Sequence, residues 1–396
     1  MPAQAGPSRA ECVAVIRDLV AFPTVSRDPN RDLIAYVKAF LDRHGVESEL
    51  VWNAERTKAN LWATIGPANR PGVVLSGHSD VVPVDGQDWS SDSFTLREAD
   101  GRLYGRGTCD MKGFVGIMLA FVPFLVRRDL KAPVHFAISY DEELGCIGVQ
   151  SLIDRLAALP VKPKLCIVGE PTSMQVVVGH KGAGFYRVAL SGRSAHSSLA
   201  PAAVNAVEYA AEIICIIGEM AREQRVSGLR DDGYDVPYST LSVTTVAGGN
   251  AANIIPAECA FQFDIRALPA VDTRELIGRL EERIEREILP RMRAVSPQSS
   301  VTIEPVAELA GFDTDAVHPA VTFVKQLVGR NDHGKVAYGT EAGLFSKAGI
   351  VSIVCGPGSI EQAHKPDEYL ELTEVDRCRN VLQRLLLHLE RAELPW

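Results

Sequence analysis

Residues 134–148, VHFAISYDEELGCIG, open as an alternating apolar run and then set Asp141, Glu142 and Glu143 in a row beside an apolar segment. Neighbouring carboxylates repel, and a partly buried one is costly unless a cation or hydrogen-bond donors compensate it. The run predicts a strand ending at Asp141, and the acids there predict a missing positive partner. In open α/β sheets ligands gather beyond the carboxyl ends of the strands, so each other strand is read for what it delivers there. VVLSGHSD delivers His78 and Asp80, and LCIVGEPT delivers Glu170. Asp110 stands in the glycine-punctuated segment GRGTCDMKG just before an apolar helix from Phe114, and GPGSIEQAHKPDEY supplies His364 after the last strand.

Around these segments the pattern alternates. Ser8 and Glu11 form an S-x-x-E capping box ahead of CVAVIRDLVAF, and a second helix from about Asp32 carries Leu33, Ile34, Val37, Phe40 and Leu41 on one face. Strands SELVWN, NLWATIG and GVVLSGHSD, the Phe114 helix, the strand into Asp141, helix GVQSLIDRLAAL and strand KLCIVGEPT follow. Strands alternating with helices predict a mixed, largely parallel sheet with flanking helices. From about Lys181 the order becomes β-α-β-β-α-β, the split-βαβ pattern of a ferredoxin-like α+β unit. Its second helix, TRELIGRLEERIEREIL, has Leu276, Leu280, Ile284 and Ile288 in register. After about Phe312 the α/β texture returns with HPAVTFVKQLVG, IVSIVCG and a closing helix from Glu374. The expectation is a discontinuous α/β domain over 1–180 and 312–396, with an inserted domain over 181–311.

The 396 residues suffice for two or three domains with real cores. Forty-one Lys and Arg against 50 Asp and Glu give a formal charge of −9, which argues against a general nucleic-acid or anionic-membrane surface. The longest apolar run, FVGIMLAFVPFLV, has 13 residues, contains Pro123 and falls short of a bilayer span, so it reads as a buried helix. The N-terminal segment MPAQAGPSRAECVAV lacks the layout of a secretory signal. The eight cysteines are scattered without a CxxC pair and fit reduced core thiols; the expectation is a cytoplasmic protein.

One histidine and two or three carboxylates per ion make a mixed N/O set that suits zinc and tolerates cobalt or manganese. Five such side chains are too many for one tetrahedral ion and enough for two ions sharing a carboxylate, a two-metal hydrolytic arrangement. The H-x-D spacing would let Asp80 accept the second ring N–H of His78 and fix its tautomer. Neighbours on an extended strand end point in opposite directions, so of Glu142 and Glu143 one can bind metal while the other handles protons. Taken singly, each piece has a plainer reading: H-x-D as an ordinary loop or core histidine, the acidic run as a solvated loop, Glu170 before Pro171 as the start of a turn. Their joint arrival at strand ends is what points to a site.

Eight segments, SGHSDVVPVDGQDW, DGRLYGRGTCDMKGF, SYDEELGCIGV, VGEPT, GRSAHSS, NIIP, YGTEAGLF and CGPGSIEQAHKPDEY, together resemble the di-zinc deacylase and exopeptidase family that includes carboxypeptidase G and succinyl-diaminopimelate desuccinylase. The wording VDGQDW, SYDEELGCIG, GTEAG and GPGSIEQAHKPDE is similar to the acetylornithine deacetylase branch. The resemblance covers nearly the whole chain and keeps the family's motif order. It implies that Asp110 bridges two zinc ions, that His78 and Glu170 complete one site, and that Glu143 and His364 complete the other. It further implies Glu142 as general base beside Asp80, a cis peptide after Asp110, and removal of an acetyl group from N2-acetyl-L-ornithine in arginine biosynthesis. By the same resemblance His196 is an oxyanion donor reaching a partner subunit's site, and the inserted domain serves as lid and homodimer contact. Arg266 would pair with the substrate α-carboxylate, and Asn253, Gly339 and Glu341 would be substrate contacts, Glu341 for the distal ammonium.

Alone, His196 reads as an exposed loop histidine and Arg266 as a strand arginine in a surface pair. Other readings remain open: a related amidohydrolase or dipeptidase with a succinyl or formyl preference, set by a few pocket side chains, or a non-catalytic metal-binding relative. A nucleotide site is excluded by content, since neither GPGSIE nor GHKGAG completes a dinucleotide or P-loop fingerprint.

Overall fold

The computed structural model describes residues 6–396, so the first five residues of the N-terminal segment read above lie outside it. The chain divides into two compact units, one of residues 6–179, Phe312–Lys335 and Thr340–Trp396, the other of His180–Gly311 and Val336–Gly339. The four residues Val336–Gly339 thus count with the second unit, although they lie outside the 181–311 span read from sequence.

In the first unit the sheet runs Ser48–Trp52, Ala59–Ile65, Val134–Ser139, Val73–His78, Leu165–Pro171, Val351–Gly356, and then Val177–His180 with short strands beside it. The four central strands are mutually parallel and the outer pairings are antiparallel, which gives the mixed sheet. Every residue of Val73–His78, Val134–Ser139 and Leu165–Pro171 is buried, as near-continuous apolar runs covered on both faces require. The Ser8 hydroxyl accepts from Glu11 N–H and the Glu11 carboxylate from Ser8 N–H, so the capping box starts helix Arg9–Val20. Helix Arg31–Arg43 buries the five-residue stripe expected of it.

The apolar run from Phe114 is not one helix. Lys112–Ala120 is helical and wholly buried, and a separate turn follows at Val122–Leu125. Pro123, with no N–H to donate, suits the first turn of a new helix better than the interior of an old one. The first helix lies so close to the sheet that a Cβ on Gly169 would stand 2.1 Å from the Phe114 ring, which explains the glycine next to Glu170.

In the second unit, strands Thr240–Gly248, Glu258–Ala267, Gly182–Ser191 and Ser300–Leu309 lie in that order as an antiparallel sheet, the split-βαβ arrangement. Helices Ala206–Ser227 and Thr273–Arg283 supply apolar side chains to its core around Val188, Phe261, Phe263 and Ile265. Leu276, Leu280, Ile284 and Ile288 are all buried, although strict four-residue spacing drifts around a 3.6-residue helix. The helix widens to a π turn at Ile284–Ile288, which absorbs the drift ahead of Pro290. No helix among the described residues is long and apolar enough to cross a membrane. All eight cysteines are free thiols, and Cys215 alone is exposed.

Candidate metal centre

The parallel strands set their carboxyl ends side by side: His78 closes Val73–His78 opposite Ser139 of Val134–Ser139, and Glu170 lies near the end of Leu165–Pro171. Asp110 comes from the loop before helix Lys112–Ala120, and the Asp110–Met111 peptide is cis. Gly107 in that loop has φ of 83°, a left-handed conformation most side chains disfavour. His364 follows the short 3-10 turn Ile360–Gln362.

These residues converge on Asp110. Its Oδ1 lies 3.1 Å from Nε2 of His78, and its Oδ2 3.3 Å from Nε2 of His364. Glu170 Oε1 is 3.6 Å from the same His78 nitrogen, and Glu143 Oε2 is 3.1 Å from the same His364 nitrogen. Two triads result, His78–Asp110–Glu170 and Asp110–Glu143–His364, each with its ligand atoms within 4.8 Å of one another.

The charges are badly matched without cations. Burial, together with the like charges of Glu143, Asp110 and Asp80, pushes the Glu142 carboxyl up to about 8. Burial and the Asp110 charge raise Glu143, and the same two causes push Glu170 well above the carboxylate range. Burial would lower His78, but the Asp110 hydrogen bond and the charges of Glu170, Glu142 and Asp80 outweigh it and raise the imidazole well above its ordinary value. Hydrogen bonds to Asp110 and Glu143 lift His364 to about 10. Asp110 is held below the usual range because both imidazoles outweigh its burial. Glu143 Oε1 and Glu170 Oε1 are buried with no hydrogen-bond partner among the described residues. Orphaned carboxylate oxygens in mixed N/O triads are what divalent ions satisfy, so the residues present fit two such ions.

Three expectations need correction. Asp80 does not take the ring N–H of His78 on its carboxylate: Nδ1 of His78 donates to the Asp80 carbonyl oxygen at 2.8 Å, while the carboxylate stays 3.6 Å away. The tautomer is fixed all the same, leaving Nε2 toward Asp110. The Asp80 carboxylate instead accepts from Ser26 Oγ at 2.7 Å and from the N–H groups of Glu142 and Glu143 at 3.2 and 3.3 Å. Secondly, Glu142 and Glu143 are not on an extended strand. Asp141 has φ of 54°, and the N–H groups of Gly145 and Cys146 donate to the Glu142 carbonyl, so both glutamates ride a turn tied to Asp80. Thirdly, Glu341 is fully buried and accepts from the hydroxyls of Ser76 and Ser139, so its carboxylate supports the strand ends and offers no open face to a substrate ammonium.

Sequence reading also missed the Cys146 thiol, 3.2 Å from Glu142 Oε1. The four-residue separation in a glycine-containing turn was the available signal. His196, Asn253, Arg266 and Gly339 belong to the second unit. His196 is exposed, with Nδ1 2.8 Å from Ser198 Oγ, and the Asn253 carbonyl accepts from Ser197 N–H at 2.9 Å. Arg266 Nε donates to Asp264 at 3.0 Å, and its guanidinium lies 5.1 Å from the Phe185 ring centroid. Gly339 lies against the Leu309 side chain.

Two histidine–carboxylate triads around one shared aspartate, assembled from strand ends and the loops beside them, are the working parts of a metal-dependent amidohydrolase. The chain belongs to peptidase family M20/M25/M40, whose sequence profile matches residues 74–388. It is 32% identical over 383 residues to an acetylornithine deacetylase of Photorhabdus laumondii, covering 95% of this chain and 96% of that one. An acetylornithine deacetylase of Proteus mirabilis is 33% identical over 389 residues, with 96% and 97% covered. Among solved structures, an M20 family metallo-carboxypeptidase from Sulfolobus solfataricus superposes with a TM-score of 0.75 at 18% identity, covering 96% of this chain and 99% of that one. A tripeptidase from Staphylococcus aureus gives 0.73 at 17% identity, covering 97% and 99%.

Proposed function

We propose that this protein removes the acetyl group from N2-acetyl-L-ornithine, yielding L-ornithine and acetate, a step that serves arginine biosynthesis. The observation that carries the hydrolytic part is the pair of triads sharing Asp110, with Glu142 beside them and bound to neither histidine. The substrate assignment rests on relatives about one-third identical over nearly the full length and named for that activity.

Zinc, with cobalt or manganese as substitutes, would supply Lewis-acid chemistry and a water of lowered pKa at the two triads. His78, Asp110 and Glu170 would hold one ion, and Asp110, Glu143 and His364 the other. Glu142 accepts a proton from the attacking water as oxygen bonds to the acyl carbon. It returns that proton to the amine nitrogen when the C–N bond breaks. Asp80 holds the turn that carries Glu142. We assign His196 to the developing oxyanion, Arg266 to the α-carboxylate, and Asn253 and Gly339 to substrate contacts, with the second unit acting as lid and homodimer contact in the cytoplasm.

The test is a panel of acetyl-, formyl- and succinyl-amino acids and dipeptides, run with metal-replete and metal-stripped protein. Fastest turnover on N-acetylornithine, lost on chelation and restored by zinc or cobalt, is the expected result. Preference for a dicarboxylic acyl group rejects the substrate; tight metal binding without turnover on any amide rejects the enzyme.

A further inference from the structure

Three motif segments contain residues that the chemistry above leaves unused: Gln87 and Trp89, Arg106, and Glu368. All four meet in the first unit. Glu368 is buried, and four donors point at its carboxylate. Oε1 accepts from the N–H groups of Cys109 at 2.8 Å and Asp110 at 3.0 Å. Oε2 accepts from the N–H of Gly107 at 3.1 Å and from Arg106 Nη1 at 2.7 Å. The Glu368 carbonyl takes the N–H of Gly105 at 2.9 Å. One residue therefore fastens the whole loop that ends in Asp110.

Arg106 carries the connection onward. Its Nη1 also donates to the Lys365 carbonyl at 3.3 Å, and its Nη2 to Gln87 Oε1 at 2.6 Å. Gln87 Nε2 donates in turn to the His364 carbonyl at 2.9 Å. Trp89 covers the assembly, its ring centroid 5.0 Å from the guanidinium carbon and its Nε1 3.1 Å from Gln87 Oε1. Side-chain exposures of 1% for Arg106 and 0% for Glu368 make this a fully desolvated pair, an arrangement seldom worth its cost in stability alone. What it does here is specific: three of the four donors on the carboxylate are backbone groups of the Asp110 loop, and both ends of the network touch the His364 loop.

We propose that Glu368, through Arg106 and Gln87, is the positioning residue that sets the loops of Asp110 and His364 at the separation two ions sharing Asp110 require. This rests on the two-metal reading given above. A lysine could not replace Arg106, since one fork serves Glu368, Gln87 and the Lys365 carbonyl at once.

The test is zinc binding by the full-length protein, measured by competition with a chromophoric chelator and by metal content after gel filtration. Glu368→Gln keeps the shape and replaces an acceptor oxygen with a donor. Gln87→Ala cuts the tie to the His364 carbonyl, together with the acceptor for Arg106 Nη2 and Trp89 Nε1, and removes none of the Glu368 bonds to the Asp110 loop. Both variants are expected to bind zinc about tenfold or more weakly, with turnover restored by excess zinc. Wild-type zinc affinity in both variants overturns the proposal while leaving the two-metal reading standing. If Glu368→Gln fails to fold, unaltered zinc binding by Gln87→Ala overturns it alone. Absence of tight zinc binding in the wild-type protein overturns the two-metal reading itself, and this proposal with it.

Discussion

The Sγ of Cys146 lies 3.2 Å from Oε1 of Glu142, four residues away around a turn whose amides are tied to the Asp80 carboxylate. Among the described residues, this thiol is the hydrogen-bond donor to the Glu142 carboxylate. Cys146→Ala should lower kcat about two- to tenfold, the worth of one modest hydrogen bond, with KM nearly unchanged. Cys146→Ser should restore most of the loss. Steady-state kinetics on the preferred N-acyl amino acid checks both, and an unaffected kcat in the alanine variant rejects the role.

Glu142 is outside both triads. Glu142→Ala should therefore retain the metal content of the wild-type protein and lose about 100- to 10,000-fold in kcat. Elemental analysis beside turnover separates this from Asp110→Asn, which should lose affinity for both ions because both triads use that side chain.

Stripping the metals should make stability depend on pH in one direction. Glu142, Glu143 and Glu170 have raised values in the folded, cation-free cluster, so they bind protons more readily folded than unfolded. Stability from this source is present below the ordinary carboxylate range and is lost as pH rises toward about 8 for Glu142. Raised His78 and His364 act with the same sign above pH 6.5. The melting temperature of the chelated protein should fall from pH 5 to pH 8 relative to the zinc-loaded protein, which differential scanning fluorimetry measures; parallel curves would contradict it.

His135 gives the opposite slope. It is buried on strand Val134–Ser139, stacked 4.9 Å from the Trp62 ring and 2.9 Å from Thr64 Oγ1, and burial pushes its imidazole down to about 4. The unfolded chain binds this proton more readily, so stability is lost as pH falls from 6.5 toward 4. The shift corresponds to about 3 kcal/mol at its full extent. His135→Gln should flatten the acid side of the stability profile in urea titrations of the zinc-loaded protein, and an unchanged slope would count against it.

Much of the fold was legible because its signals are local. The capping box at Ser8, the stripe from Leu33 to Leu41 and the largely apolar central strands each follow from a short window. The candidate metal-binding side chains were legible because an α/β sheet gathers strand ends, whatever the distance along the chain. What escaped depends on backbone geometry that residue type does not reveal. The positive φ at Asp141 turns the acidic run out of the strand, and the carbonyl of Asp80, not its carboxylate, meets His78. Glu341 reads in sequence as a ligand-facing acid, but the hydroxyls of Ser76 and Ser139 occupy its oxygens. Two serines separated by some sixty residues leave no pattern in a linear text.

The return of Val336–Gly339 to the second unit means that the polypeptide crosses between units at 179/180, 311/312, 335/336 and 339/340. Excising residues 180–311 would leave a four-residue remnant behind, cut off from the sub-fold it belongs to. Anyone transplanting that module onto another scaffold must carry two pieces of chain, and a circular permutant or chimera built on a single insertion boundary would begin with a missing part.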